Sequence, residues 1–205
     1  MLLKVNPNRM ELLRIKKRLV VAKRGYKLLK DKRDALIQVF VRLAKENNTA
    51  REELEEKLLK CYAIFSKASS LISKLDLEEA LMFPKAKSVT EVSFKNIMSV
   101  NVPQYKLKCE GKYYSYSLVD TTAELDSALK KYHEILTLML KMAELDKSVT
   151  LLADEIEKTR RRVNALEYVI IPDLEETIKF ITMKLDEMAR STNSAIMRIK
   201  EIIRA

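Results

Sequence analysis

Two long stretches of the chain, roughly residues 10–75 and 122–204, place apolar residues at alternating steps of three and four. That spacing draws one narrow stripe along a helix and turns it toward a second helix. The first stripe reads Leu12, Ile15, Leu19, Ala22, Tyr26, Leu29, Leu36, Phe40, Leu43, Ala50, Leu54, Cys61 and Phe65, interrupted at Arg33, Asn47 and Lys57. The second reads Leu125, Leu129, Tyr132, Leu136, Met139, Ala143, Val149, Leu152, Ile156, Val163, Leu166, Ile170, Leu174, Ile178, Ile181, Leu185, Met188, Ala195, Ile199 and Ile202. Between them, over residues 89–118, the period changes to two. Val92 and Phe94, Val100 and Val102, then Tyr105, Leu107 and Cys109, then Tyr114, Tyr116 and Leu118 alternate with polar positions, as strands do. The pattern predicts a mainly α fold, a long antiparallel two-helix coiled coil with a small β-hairpin segment between the helices. Residues 8–78 form the first helix, 79–120 the connecting segment and 121–204 the second helix, in one structural unit.

Local signals place the boundaries. Asn8 with Glu11 reads as a capping box at the start of the first helix, and Phe83-Pro84 stops that helix because proline has no amide to donate. Glu110-Gly111-Lys112 is the expected hairpin turn, Gly111 being free to take positive φ, and Asn101-Val102-Pro103 is a second place where the chain could reverse. Thr121 after Asp120, with Glu124 completing a capping box, opens the second helix. Inside that helix Pro172 predicts a bend, and the consecutive steps of four from Leu166 to Ile178 predict local unwinding of the supercoil. Gly25 costs its helix about 1 kcal/mol against Ala, and either admits another backbone or is simply tolerated. Folding the helices back on each other sets Arg33 and Asp34 near Arg160, Arg161, Arg162 and Glu167, where opposite charges are expected to cross the seam and fix its register.

Composition narrows the function. Two Gly, four Pro and no Trp leave little turn chemistry for a many-element fold, and no apolar run approaches the roughly 18–20 residues of a bilayer span. No secretory h-region is read at the amino terminus, so a soluble cytoplasmic protein with reduced, buried thiols at Cys61 and Cys109 is expected. The net charge of +10 is concentrated, with eleven Lys or Arg against three acids from residue 9 to 34. Such a patch suits nucleic acid through counterion release, acidic protein loops through complementarity, or a merely solvated face. Only Tyr26 is aromatic in that window, and no groove-reading module is present. There is no glycine-rich phosphate loop and no nucleophile beside a base. The lone His133 and the nine Met read as surface and packing residues, so no catalytic group, cofactor or metal is expected.

Three runs are more specific than any heptad count: Val5-Asn6-Pro7-Asn8-Arg9-Met10-Glu11-Leu12, then Arg24-Gly25-Tyr26-Lys27-Leu28-Leu29-Lys30-Asp31-Lys32-Arg33-Asp34-Ala35-Leu36, then Glu155-Ile156-Glu157-Lys158-Thr159-Arg160-Arg161-Arg162-Val163-Asn164-Ala165-Leu166-Glu167, closing with Ile171-Pro172. These resemble the D subunit of the rotary V/A-type ATPases, over nearly the whole chain. The resemblance implies a central-stalk subunit, itself not an enzyme, that couples ATP hydrolysis or synthesis to proton or sodium transport. It implies the catalytic and non-catalytic A and B subunits of a ring as partners, together with the F subunit of the central stalk and a C/d-type adaptor over the membrane rotor. It implies neither nucleic acid nor direct membrane insertion, and a cytoplasmic place peripheral to the membrane. On this reading Arg9, Arg14, Lys16, Lys17 and Arg18 meet the ring, and Tyr105, Tyr113, Tyr114 and Tyr116 form an aromatic coupling patch on the hairpin. The alternative is a free-standing basic coiled-coil adaptor or nucleic-acid-associated protein.

Overall fold

A computed structural model describes residues 5–111, 114–117 and 121–204. The chain is mainly α: α1 (Arg9–Leu71), α2 (Lys74–Met82), β1 (Lys87–Ile97), β2 (Val100–Glu110), α3 (Ala123–Ala165), a π-helical turn (Leu166–Ile170) and α4 (Ile171–Arg204). It divides into two compact units, Leu36–Glu155 and a unit made of Met1–Ala35 with Ile156–Ala205.

In the second of these units α1 packs along α4. Ile15, Leu174 and Ile181 are buried at its centre, and Leu12, Leu19, Ala22, Ile178 and Leu185 close around them. The stripe ends there, because every described residue after Leu185 is exposed. At the start of α1 the Asn8 carbonyl receives the Leu12 amide at 3.0 Å and the Asn8 side chain receives the Met10 amide at 3.4 Å. Glu11 turns to Arg14.

Within Leu36–Glu155, α1 packs along α3. Leu54, Cys61 and Ile135 form one cluster, and Ala68, Ile72 and Leu125 another. The stripe on α3 differs from the sequence reading. Leu125, Leu152 and Val163 are buried as expected, but Ala128, Ile135, Ser148 and Thr159 are buried beside them, while Tyr132, Met139 and Ala143 are exposed. At 3.6 residues per turn a strict 3–4 repeat drifts around the helix, so neighbours of the assigned seam rotate into contact. Helix α1 stops at Leu71, short of the expected residue 78. Ser70 turns its hydroxyl back onto the Lys67 carbonyl at 2.7 Å, and Ser73 takes an extended conformation before α2 begins. Of the thiols, Cys61 is buried and Cys109, expected buried, is exposed.

The hairpin corrects both expected turns. It reverses at Met98-Ser99, two residues with φ of 51° and 74°, and pairs β1 with β2 without interruption from Lys87↔Glu110 to Ile97↔Val100. Two positive φ angles in succession make the tight turn whose twist matches paired strands. Side chains supply what glycine usually does. Asn96 Oδ1 accepts the Ser99 amide at 3.0 Å, and Asn96 Nδ2 donates to Asn101 Oδ1 at 2.9 Å. Gly111 instead ends the strand. Its φ is 106°, and a Cβ there would sit 2.5 Å from the Lys85 carbonyl oxygen. Gly25 has open space in place of a Cβ, so among the described residues no other backbone approaches it.

The opening of α3 differs too. The helix begins at Ala123, the Leu125 amide bonds the Thr122 carbonyl, and the Thr121 hydroxyl donates to the Ser117 carbonyl rather than capping. Asp120, part of that expected signal, lies outside the described residues. Around Pro172 the expected simple bend is a π-helical turn, with the Ile171 amide reaching the Leu166 carbonyl. One extra residue in the turn moves the Tyr168 carbonyl away from the proline ring that cannot bond it.

Candidate functional site

Arg9, Arg14, Lys16, Lys17 and Arg18 are all exposed on the first turns of α1. The i,i+3 and i,i+4 spacing of Arg14, Lys17 and Arg18 lines them along a groove of about 570 Å³, whose apolar floor is Val21, Ala22, Ile170 and Leu174. Arg14 pairs with Glu11 at 3.2 Å. The π-helical turn shapes this groove by lifting Tyr168, Val169 and Ile170 into solvent, Tyr168 to 73% exposure. Ile170, expected on the seam, is thus exposed, and Tyr168 and Val169 carried no sequence signal beyond their nearness to Pro172. Beyond the groove, residues 186–204 of α4 present Met188, Ile196, Met197, Ile199, Ile202 and Ile203 to solvent.

The residues expected to cross the seam turn along their own helices instead. Arg33 holds Asp34 through two nitrogens, at 2.9 and 2.7 Å, and Arg161 holds Glu157 one turn back. Arg160, Arg162 and Glu167 are exposed. An i,i+4 partner is already in reach when the helix forms, whereas a cross-seam partner must be brought there by packing. An ion pair that does join α1 to α4 is Lys23–Glu175 at 2.7 Å, between side chains about half exposed.

The expected tyrosine patch is divided. Tyr105 lies mid-strand on β2, half-buried, its amide donating to Glu144 Oε2 of α3 at 3.2 Å. Tyr114 and Tyr116 have left the sheet, since the hairpin closes at Met98-Ser99, and meet edge to face with ring centres 6.4 Å apart. The Tyr116 hydroxyl donates to the Asp126 carboxylate, and Ser115 ties the segment to the Phe83 carbonyl at 3.0 Å. Burial first, and the Asp126 bond second, push the Tyr116 phenol well above its ordinary range. Tyr113 lies outside the described residues. A further apolar groove of about 450 Å³, lined by Glu55, Leu58, Leu59, Tyr62 and Tyr132, went unread because Leu59 and Tyr62 sit off the stripe. Large apolar residues off the seam were the signal for it. Among the described residues no helix is long and apolar enough to cross a membrane.

Comparison with known proteins matches residues 11–201 to the family model of the ATP synthase D subunit. The chain is 54% identical over 201 residues to the V-type ATP synthase D subunit of Thermoanaerobacter sp. (strain X514), covering 97% of this chain and 96% of that one. The proteins of the same name from Fusobacterium nucleatum subsp. nucleatum and Clostridium botulinum (strain ATCC 19397 / Type A) are 52% and 50% identical. They cover 98% and 99% of this chain, and 97% and 96% of their own lengths.

Proposed function

Because the chain belongs to the ATP synthase D-subunit family, we propose that this component of a V-type ATP synthase is its central-stalk shaft. In this reading it carries no catalytic group. It transmits torque between nucleotide turnover in a ring of A and B subunits and the movement of protons or sodium ions through a membrane rotor, on the cytoplasmic side and peripheral to the membrane. The observation that carries the proposal is the uncovered end of α4. Residues 186–204 keep an apolar stripe that none of the described residues of their unit covers, and a stripe of that length on a soluble helix calls for a protein socket.

Physical chemistry supports the rest. Paired helices resist bending and twisting without any reacting side chain. Exposed cations at Arg9, Arg14, Lys16, Lys17 and Arg18 suit acidic loops of a surrounding ring, and such contacts are individually weak enough, at most about 1 kcal/mol, to be exchanged as the shaft turns. The segment bearing the hairpin, with Tyr105 on β2 and Tyr114 and Tyr116 after it, then faces the F subunit and the C/d-type adaptor. The charges at Arg33, Asp34, Arg160, Arg161, Arg162 and Glu167 set register through their summed field rather than through one bond. A chain ending at Leu185 tests the proposal. It is expected to retain its affinity for the F subunit and lose at least tenfold in affinity for the A and B ring. Equal affinity for the ring would remove the end of α4 from that interface.

A further inference from the structure

The hairpin has one edge against a helix and one edge open. The Tyr105 amide points away from β1, to Glu144. In an antiparallel pair the direction of the amides alternates along a strand, so Tyr105 and its partner Val92 form a non-hydrogen-bonded pair, and both turn their backbone groups outward. The same parity holds at every second pair. On β1 it leaves the N–H and C=O of Ser88, Thr90, Val92, Phe94 and Asn96 facing away from β2. On β2 it places Pro103 where the missing amide costs no ladder bond, which is where a strand tolerates proline. The sheet has two strands, so among the described residues no strand pairs with the outer edge of β1.

That edge carries charged side chains at Lys87, Glu91 and Lys95 but lacks the other usual protections. It is eleven residues long, carries no proline, and its register runs without a bulge. Every residue of β1 from Lys87 to Asn96 is exposed, Val92 to 53% and Phe94 to 72%. Val92 and Phe94 share a face with Tyr105 and Pro103, which are half-buried and buried, so that face continues an apolar surface outward. The opposite face presents Lys87 and Lys95, while Glu91 between them is held by Lys108.

We propose that β1 is a docking edge that receives a strand from another subunit of the same ATP synthase, extending the hairpin to three strands. The incoming strand alternates apolar side chains, set beside Val92 and Phe94, with carboxylates, set beside Lys87 and Lys95. Its backbone pairs with Thr90, Val92 and Phe94. This assignment rests on membership of the complex and not on the shaft role, and it adds a mode of attachment that a coiled coil lacks, since main-chain pairing fixes orientation as well as affinity.

Residue-resolved hydrogen exchange on the protein, alone and assembled with its complex, tests it, with co-elution reporting assembly separately. In the isolated protein the amides of Glu91, Ser93 and Lys95 are expected to be protected by β2 and those of Thr90, Val92 and Phe94 to exchange quickly. On assembly the latter three should slow at least tenfold. Val92→Pro, which removes one outward donor as Pro103 does on the other edge, should keep protection at Glu91 and Ser93 and abolish the slowing at Thr90 and Phe94. Val92→Thr should preserve it. Outward amides that stay fast in an assembled complex overturn the docking edge and leave the shaft untouched. Slowing in the isolated protein that grows with its concentration identifies a second copy as the occupant and also overturns the proposal. Failure to assemble overturns both readings.

Discussion

At Gly25 and Gly111 the same residue type has opposite reasons. Gly25 sits inside α1 with nothing within 4 Å of where a Cβ would stand, so Gly25→Ala should raise the unfolding free energy by about 0.5–1 kcal/mol, measured by denaturant melts of the isolated protein. At Gly111 a Cβ would meet the Lys85 carbonyl oxygen at 2.5 Å and φ is held at 106°, so Gly111→Ala should cost about 1–3 kcal/mol in the same assay. Sequence marked both positions as special, but the sign at each depended on neighbours from elsewhere in the chain. Asn47 is a clearer case. It interrupted the stripe in sequence, yet it is buried, and its Oδ1 finds no donor among the described residues. Asn47→Leu should therefore stabilise the protein by about 1–2 kcal/mol in denaturant melts, because the buried Oδ1 has given up water without gaining a donor among the described residues. Tyr116 gives a pH test. Its phenol is raised by burial and by Asp126, so folding favours the neutral form. That contribution is complete below the ordinary tyrosine pKa of about 10 and is lost as pH climbs through the higher folded value. Ultraviolet titration should show a late-ionising tyrosine that disappears in Tyr116→Phe.

Among the elements, the helices followed directly from periodicity because one buried face is written every three or four residues. The β-segment was legible as strands, and it was the place of its turn that differed. Gly111 carries a strong turn signal and Met98-Ser99 almost none. Positive φ at those two residues is upheld by Asn96 bonding Ser99 and Asn101, an arrangement of side chains that propensity does not express. Ser99→Gly should relieve that backbone and stabilise the hairpin by about 0.5–1 kcal/mol, read as slower exchange of the Ile97 amide. Asn96→Ala should have the opposite effect, by about 1 kcal/mol. At Pro172 the sequence announced a disruption without its form. The π-helical turn solves two local problems together, the absent amide of proline and the run of four-residue steps from Leu166 to Ile178. Among the expected tyrosines, once the hairpin closes at Met98-Ser99, Tyr105 and the Tyr114–Tyr116 pair belong to different elements.

For the molecule as a working part, charge and uncovered apolar surface matter more than any single contact. Reversing charge at Arg14, Lys16, Lys17 and Arg18 should weaken assembly with the A and B ring at low salt. The deficit should shrink as salt rises, since screening shortens the reach of such charges from about 10 Å at 0.1 M to about 3 Å at 1 M. A salt-independent deficit would point to lost packing instead. The central claim, that this chain turns inside the ring, has a direct test in its own chemistry. Cys109 is exposed while Cys61 is buried with its thiol pushed up by burial, so a bead can be attached through Cys109 alone. With the ring fixed to a surface and ATP supplied, the account predicts steady one-way rotation of the bead that stops when ATP is exhausted. A bead that stays at one angle while the same complexes hydrolyse ATP would contradict it.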